Sequence, residues 1–282
     1  MKKLYVHIGM AKTGTSAIQS FLHINRAELL KLGVLYPLSG QFPDHSHHEL
    51  AFAFSPDGYR DDPNRDLNKI LNSLSKEIED SSCSTVILSS ECFPLIAEDE
   101  RFIEFFKGYE IRMIAFVRDP GDYIESWYRQ WVKDPAVRYS EGFDTFFKKF
   151  KGSLGLKSKA NSWETLTGKG GVVVRDFDRI RREGDVCKEF LSILNITSSD
   201  RFFGINETNK SLSYVATKVM RTSNKLGNDP KRSALLGVCL GMDDYGDYVG
   251  RKFISDEQRL EISKLYSKQY DSLIEECSNW KI

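Results

Sequence analysis

The segment from residue 5 to residue 16 constrains the fold most, because it joins an apolar run to a glycine-containing loop and a helix start. In this loop Gly9 and Gly14 lie on either side of Lys12. The hydroxyl donors of the loop are Thr13, Thr15 and Ser16. Backbone N–H groups converge where such a loop meets a helix N-terminus, and the helix dipole favours negative charge there. The segment therefore predicts a strand, a loop that binds a phosphate-like anion, and a helix.

The loop differs from the nucleotide-triphosphate loop G-x-x-x-x-G-K-[ST] in the place of its lysine. Gly9 and Gly14 have the right separation, but Thr15 stands where the lysine should follow the second glycine. Lys12 comes before that glycine. This departure argues against an ordinary NTPase. The alternative to anion binding is that the segment is only a strand-to-helix turn with an incidental lysine.

Apolar runs alternate with helical patterns along the first two thirds of the chain. Further strands are predicted at 34–37, 85–91, 111–118 and 172–175, and helices at 15–32, 64–80, 98–107 and 121–133. Residues 38–63 read mainly as loop, and the part from about residue 184 reads as mostly helical, ending in a helix over 255–278. Alternation with nearly continuous apolar strands predicts an α/β fold with a parallel central sheet covered on both faces. Because no repeat or linker interrupts the pattern, we expect a single domain over 1–282.

Polar residues follow three of these strands. Lys12, Glu91 and Arg118 each come just after an apolar run. Ligands of open parallel sheets bind beyond the carboxyl ends of the strands. The pattern therefore predicts a site at that edge.

A second pattern follows the strand that ends near residue 117. Arg118 precedes Asp119 and Pro120, and Ser126 lies about two turns into the helix that should follow. Arginine suits phosphate because its planar donors bind it in bidentate fashion. The alternative is an arginine paired with Asp119 and a serine packed against another helix.

Together the Lys-Thr-Gly-Thr-Ser loop and the segment Val-Arg-Asp-Pro, with Ser126 and Tyr128 after it, resemble the sulfotransferases that use 3′-phosphoadenosine 5′-phosphosulfate (PAPS). Segments at 33–37, 47–48, 89–91 and 174–178 resemble bacterial members that often sulfate carbohydrates. The resemblance extends to about residue 195. It implies a three-layer α/β/α fold related to the P-loop nucleotide kinases, with a mostly helical C-terminal part.

The resemblance also implies roles for individual residues. Lys12 would stabilise charge on the leaving phosphate, while Arg118 and Ser126 would bind the 3′-phosphate. The 5′-phosphate would be held by Thr13, Gly14, Thr15 and Ser16. The cofactor would be PAPS, the nucleotide product 3′-phosphoadenosine 5′-phosphate (PAP), and no metal would be required. The acceptor would be a hydroxyl, with carbohydrate as the first candidate.

The acceptor must lose a proton, and two residues are candidates for the base. Glu91 comes first, because relatives place a catalytic His or Glu after this strand; the alternative is a structural carboxylate that caps a helix near Pro94 or pairs with a basic residue. His48 comes second, because imidazole titrates near neutrality. It belongs to a cluster with His45 and His47, whose spacing is a weak metal pattern. We interpret the remaining histidine of the first strand, at position 7, as a core residue.

Composition narrows the class of protein. Lysine plus arginine number 40 and aspartate plus glutamate also number 40, so net charge gives no indication of nucleic acid as a partner. No apolar run approaches the roughly eighteen residues of a membrane span. The five cysteines lack metal spacing and read as free thiols of a reducing compartment, so we expect a cytoplasmic protein. Residues 227–252 read as a charged loop, and Trp127, Tyr128 and Trp131 as core packing.

Two other functions remain open at this stage. One is a P-loop-type kinase that uses ATP, although the position of Lys12 counts against it. The other is a non-catalytic module that binds a nucleotide or glycan, in which Glu91 and the histidines are structural.

Overall fold

A computed structural model describes residues 1–55, 62–93, 96–197, 201–204, 211–227 and 230–278. The chain divides into two compact units. The first comprises Met1–Val117, Leu156–Asn206 and Tyr270–Ile282, and the second comprises Arg118–Gly155 and Glu207–Gln269. The single domain over 1–282 stays a prediction.

The first unit is built on a five-stranded parallel sheet with the order β2-β3-β1-β4-β5. The strands are β1 (Lys3–His7), β2 (Val34–Leu35), β3 (Thr85–Ser89), β4 (Glu110–Val117) and β5 (Val172–Asp176). β1 occupies the centre, where His7 is level with Ser89 of β3 and Ile114 of β4. The predicted parallel sheet is confirmed. Since its strands end at one edge, the residues after β1 and β3 are brought close together.

The α-helices of the described ranges follow in chain order. They are α1 (Thr15–Ile24), α2 (Arg26–Lys31), α3 (His48–Phe54), α4 (Leu67–Asp80), α5 (Glu100–Phe105), α6 (Pro120–Lys133), α7 (Phe143–Phe150), α8 (Lys157–Thr167), α9 (Phe177–Glu183), α10 (Val186–Ile193), α11 (Tyr214–Lys225), α12 (Arg232–Leu240) and α13 (Asp256–Ser278). Short 3₁₀ turns occur at Ile96–Glu98, Lys151–Ser153 and Gly246–Tyr248. The mostly helical C-terminal part agrees with the sequence pattern.

Helices cover both faces of the sheet. On one face α1 and α10 contribute Ile18, Leu22 and Phe190 to a buried cluster that also contains sheet residues such as Ile114. On the other face α8 packs on β4 and β5, and its fully buried Trp163 contacts Phe102 of α5. This is the three-layer α/β/α arrangement that the resemblance implied.

The helix predicted over 15–32 is interrupted at Asn25, so that prediction was wrong in one place. The buried Asn25 side chain donates to the carbonyl of Phe203 at 3.0 Å and accepts from the N–H of Phe203 at 2.7 Å. Asparagine competes for backbone hydrogen bonds in this way, and the helix restarts as α2. The second helix ends before Gly33, whose φ of +76° requires glycine.

In the second unit α6 packs against α7 and α11. Tyr128 is fully buried, and the Trp127 and Trp131 rings lie 5.3 and 5.6 Å from the ring of Phe146, as expected for core packing. The region 227–252 is not all loop, because α12 begins at Arg232. The buried Arg232 guanidinium donates to the carbonyls of Val132 at 3.0 Å and of Lys133 at 3.1 Å, and thereby caps the C-terminus of α6.

Candidate active site

The anion loop connects β1 to α1 through three residues with positive φ. Gly9 and Gly14 have φ of +88° and +78°, and Lys12 between them has φ of +66°. A non-glycine residue in this region is uncommon, so the loop holds Lys12 in a conformation that costs about 1–3 kcal/mol. The Thr13 hydroxyl donates to the Met10 carbonyl at 2.6 Å and closes the loop on itself.

Gly14 sets how closely the loop approaches the rest of the first unit. A Cβ at this position would lie 3.2 Å from Phe177 Cε2 and 3.2 Å from Val186 Cγ1. The first N–H groups of α1, beginning at Thr15, have no acceptor within the helix, which makes this N-terminus a site for an anion. Phe177 and Val186 pack against the loop at Gly14. Phe177 belongs to the segment 174–178 that was noted for its resemblance, whereas no pattern in the sequence marks Val186.

Glu91 lies two residues after β3, and its carboxylate is fastened to α1. The Thr15 hydroxyl donates to Glu91 Oε1 at 2.6 Å, and the Gln19 amide donates to Oε2 at 3.0 Å. The loop also packs on Glu91, since a Cβ on Gly9 would lie 3.1 Å from Glu91 Cγ. Glu91 and the anion loop therefore form one site, as their places at neighbouring strand ends predicted.

His48 stands beside Glu91, so the two candidate bases are neighbours. Its Nε2 lies 3.7 Å from Glu91 Oε2, and its Nδ1 lies 2.7 Å from Ser90 Oγ. Ser90 Oγ also accepts from the N–H of Cys92 at 3.0 Å, and its second lone pair can accept from His48 Nδ1–H, in the tautomer that leaves Nε2 without a hydrogen. With Nδ1 engaged in this way, Nε2 is the ring atom of His48 that faces the carboxylate.

The surroundings of Glu91 favour its charged form. Burial raises the pKa of this carboxyl, but the neighbouring His48 charge and the hydrogen bonds from Thr15 and Gln19 outweigh burial and bring the pKa below its usual value. Glu91 is therefore an anion at neutral pH. The alternative in which it caps a helix near Pro94 falls outside the described residues.

The other histidines have structural surroundings. Buried His47 accepts from the N–H of Ser89 through Nδ1 at 3.1 Å, which leaves Nε2–H to donate to the Pro37 carbonyl at 3.0 Å. Burial lowers the pKa of His47 to about 4. His45 stacks on His23 with ring centroids 3.7 Å apart. His7 is fully buried with its pKa lowered by burial to about 4, as befits the predicted core residue.

Arg118 and Ser126 belong to the second unit. Arg118 directly follows the last residue of β4, and half-buried Ser126 lies on the second turn of α6. Asp119 is the N-cap of this helix, because its Oδ1 accepts from the N–H of Asp122 at 2.9 Å. The same oxygen accepts from Arg259 at 2.6 Å. The local geometry thus matches the predicted strand and helix, and the 3′-phosphate role of both residues stays a prediction.

Some features of the site were not predicted from the sequence. Gln19 bonds to Glu91, Ser90 bonds to His48, and Ser89 accepts from Gln19, although only Ser89 and Ser90 belonged to a segment noted for its resemblance. The available signal for Gln19 was a polar residue four positions after Thr15, on the same face of α1.

Neither a metal cluster nor a membrane span occurs in the described part of the chain. Within the ranges given above, no three His, Cys, Asp or Glu side chains are grouped so that they could hold a metal ion. Over the same ranges no helix is long and apolar enough to cross a membrane.

Comparison with known proteins identifies one relative by sequence and several by structure, while no protein-family profile matches the chain. An uncharacterised protein of Archaeoglobus fulgidus is 27% identical over 196 residues, which are 68% of this chain and 53% of that protein. The chain thus spans about half the length of this relative.

The structural matches are distant in sequence. A sulfotransferase from Alicyclobacillus acidocaldarius superposes with a TM-score of 0.50 at 15% identity, covering 86% of this chain and 98% of that one. A mouse sulfotransferase complexed with PAP has a TM-score of 0.48 at 13% identity, covering 98% of this chain and 86% of that one. On the first of these matches, together with the parallel sheet and its two helical layers, the chain has the sulfotransferase fold.

Proposed function

We propose that the protein is a PAPS-dependent sulfotransferase that sulfates a hydroxyl group. The observation that carries this proposal is the bond from Thr15 to Glu91, at 2.6 Å. Thr15 stands where a kinase loop has its lysine, and here its hydroxyl holds a carboxylate that faces His48. An anion loop with a proton-accepting pair attached to it suits group transfer to a hydroxyl better than transfer from a magnesium nucleotide.

The loop residues fit the demands of sulfuryl transfer. PAPS supplies the sulfuryl group and a 5′-phosphate as the leaving group. The N–H groups of residues 13–16, at the positive end of α1, suit the binding of that phosphate. Lys12 supplies an ammonium that stabilises negative charge as it develops on the leaving oxygen. No role for a metal is needed in this arrangement, because Lys12 and the helix N-terminus supply the positive charge.

The pair of His48 and Glu91 suits removal of the acceptor proton. A carboxylate whose pKa lies below its usual value is a weak base, whereas Nε2 of His48 has a lone pair for the proton when Nδ1–H donates to Ser90 Oγ. We therefore assign proton acceptance to His48 and stabilisation of the resulting imidazolium to Glu91. This reverses the order in which the sequence ranked the two residues.

Two finer assignments belong to the same proposal. Arg118 and Ser126 bind the 3′-phosphate, since an arginine and a serine at this spacing follow a strand as in the family segment. The acceptor is a carbohydrate hydroxyl, which rests on the resemblance of the segments at 33–37 and 89–91 to carbohydrate-type members. A cytoplasmic location stays a prediction.

Nucleotide binding and product analysis test the proposal. The purified protein is titrated with PAP and with ATP by calorimetry, each with and without magnesium. It is then incubated with PAPS and a panel of mono- and oligosaccharides, followed by mass spectrometry. We expect PAP to bind without magnesium and a sulfated sugar to form. Transfer of phosphate from ATP would establish the kinase instead, and PAP binding without transfer to any acceptor would favour a non-catalytic module.

A further inference from the structure

Gln19 is a buried polar residue at the centre of the site, with no assigned role. Its side chain is 2% exposed, and its amide Nε2 donates both to Glu91 Oε2 at 3.0 Å and to Ser89 Oγ at 3.2 Å. Thr15, one helical turn earlier, donates to the other oxygen of the same carboxylate. One face of α1 therefore donates hydrogen bonds to both carboxylate oxygens of Glu91.

The direction of these hydrogen bonds is fixed by the chemistry of the partners. An ionised carboxylate only accepts, so the NH₂ group of Gln19 must face Glu91, since the opposite orientation would place two oxygens in contact. Ser89 Oγ accepts from the same NH₂ group and lies 2.8 Å from His7 Nδ1. One NH₂ group of Gln19 thus donates to both Glu91 and Ser89.

We propose that Gln19 is a positioning residue, which holds the Glu91 carboxylate toward His48 and ties the pair to the helix of the anion loop. This inference rests on the proposed function for its catalytic consequence, but not for its geometry. Without Gln19, the oxygen of Glu91 that faces His48 loses its neutral donor, while Thr15 still donates to the other oxygen.

Other titratable groups also face Glu91, and their influence must be separated from that of Gln19. They are His48 on α3, His7 on β1 and Tyr36 after β2. His48 is itself near a second carboxylate, because its Nε2 lies 3.9 Å from Asp44 Oδ2. Gln19 carries no charge, so its replacement by a neutral residue alters hydrogen bonding alone. A change in the titration of Glu91 would then report the lost donor.

The test compares Gln19→Met with a matched control. Methionine keeps the length and burial of the side chain but donates no hydrogen bond. Gln41→Met is the control, because the half-buried Gln41 amide donates to the Pro37 carbonyl at 2.7 Å and no bond to Glu91 is lost. The Glu91 carboxyl is titrated by carbon NMR in glutamate-labelled full-length protein, with Glu91→Gln identifying its resonance, and kcat, KM and PAP affinity are measured across pH.

In Gln19→Met we expect the Glu91 titration to move to higher pH, because a hydrogen bond that favours the anion is gone. We also expect kcat near neutrality to fall about tenfold, as for loss of one hydrogen bond to a charged group. PAP affinity should stay within about twofold of wild type, and Gln41→Met should show none of these changes.

Three outcomes separate this inference from the proposed function. An unchanged Glu91 titration in Gln19→Met overturns the positioning role, whatever the protein catalyses. A shifted titration in a protein that transfers no sulfuryl group supports the positioning role and rejects the proposed function. If Gln19→Met does not fold, Gln19→Glu takes its place: the new carboxyl beside Glu91 should raise the titration through like-charge repulsion, and no shift would overturn the inference.

Discussion

Nε2 of His48 lies 3.7 Å from Oε2 of Glu91, so the two residues that the sequence presents as rival bases form one pair. Each member also has hydrogen-bond partners of its own. Ser90 bonds to the histidine, and Thr15 and Gln19 donate to the carboxylate. Because each member has its own fixed partners, the pair can be dissected by substitution of one residue at a time.

The first prediction concerns this pair. His48→Ala removes the proton acceptor and should lower kcat by about 10²–10⁴-fold, the usual contribution of a general base. Glu91→Gln leaves the imidazole in place but removes the anion beside it, so we expect a smaller loss of kcat. PAP affinity, measured by calorimetry, should change little in both variants. An inactive Glu91→Gln beside an active His48→Ala would return the role of base to Glu91.

Lys12 is predicted to act on the leaving phosphate. Lys12→Met keeps the length of the side chain and removes the charge, so kcat should fall by about 10²-fold or more, as for loss of an oxyanion donor. Lys31→Met serves as the control, because exposed Lys31 of α2 pairs only with a carboxylate one turn away at Glu28 among the contacts described. Turnover of Lys12→Met at the wild-type rate would remove Lys12 from the mechanism.

Arg118 and Ser126 are predicted to distinguish PAPS from adenosine 5′-phosphosulfate, which lacks the 3′-phosphate. Each charge-assisted contact is worth roughly 1.5–3 kcal/mol, so wild type should strongly prefer the 3′-phosphorylated nucleotide. Arg118→Ala should remove most of that preference, and Ser126→Ala a smaller part. Calorimetry with both nucleotides measures this preference in wild type and in both variants. Equal weakening of the two nucleotides by Arg118→Ala would give the arginine a scaffold role.

Buried His47 predicts how stability depends on pH. Its pKa of about 4 in the folded protein lies below the ordinary value of 6.5. The contribution of neutral His47 to the free energy of unfolding is therefore complete above pH 6.5 and is lost as pH falls toward 4. At pH 5 the loss amounts to about 2 kcal/mol. Urea unfolding between pH 7 and pH 5 should therefore show a shallower pH dependence in His47→Gln than in wild type. Parallel curves would mean that His47 does not titrate this way.

The sequence predicted the parts of the fold that depend on local pattern. Apolar runs located the strands, and glycines located the turns of the loop between Gly9 and Gly14. The break at Asn25 was missed because its cause is a contact with Phe203, far along the chain. The pairing of His48 with Glu91 was missed for the same reason, since it depends on how the chain between β2 and β3 returns to the sheet.

A buried polar residue presents a further difficulty for prediction. Gln19 lies on an apolar face of its helix, so the periodic pattern of the sequence gives no reason for a polar residue there. The reason is found only in the structure, where Gln19 donates to Ser89 and Glu91. The region 227–252 was misjudged in the opposite way. Its charges suggested a solvated loop, yet Arg232 is buried because the carbonyls at the end of α6 satisfy its donors.

The central position of β1 affects the order in which the site can assemble during synthesis. β1 and the anion loop come first in the chain, but β1 pairs with β3 from Thr85 onward and with β4 from Glu110 onward. Such non-local parallel pairings form slowly, because the entropy cost of closing a long loop comes before any stabilising contact forms. The loop that carries Lys12 is therefore synthesised before it can become structured, and it can contact Glu91 only after β3 has left the ribosome.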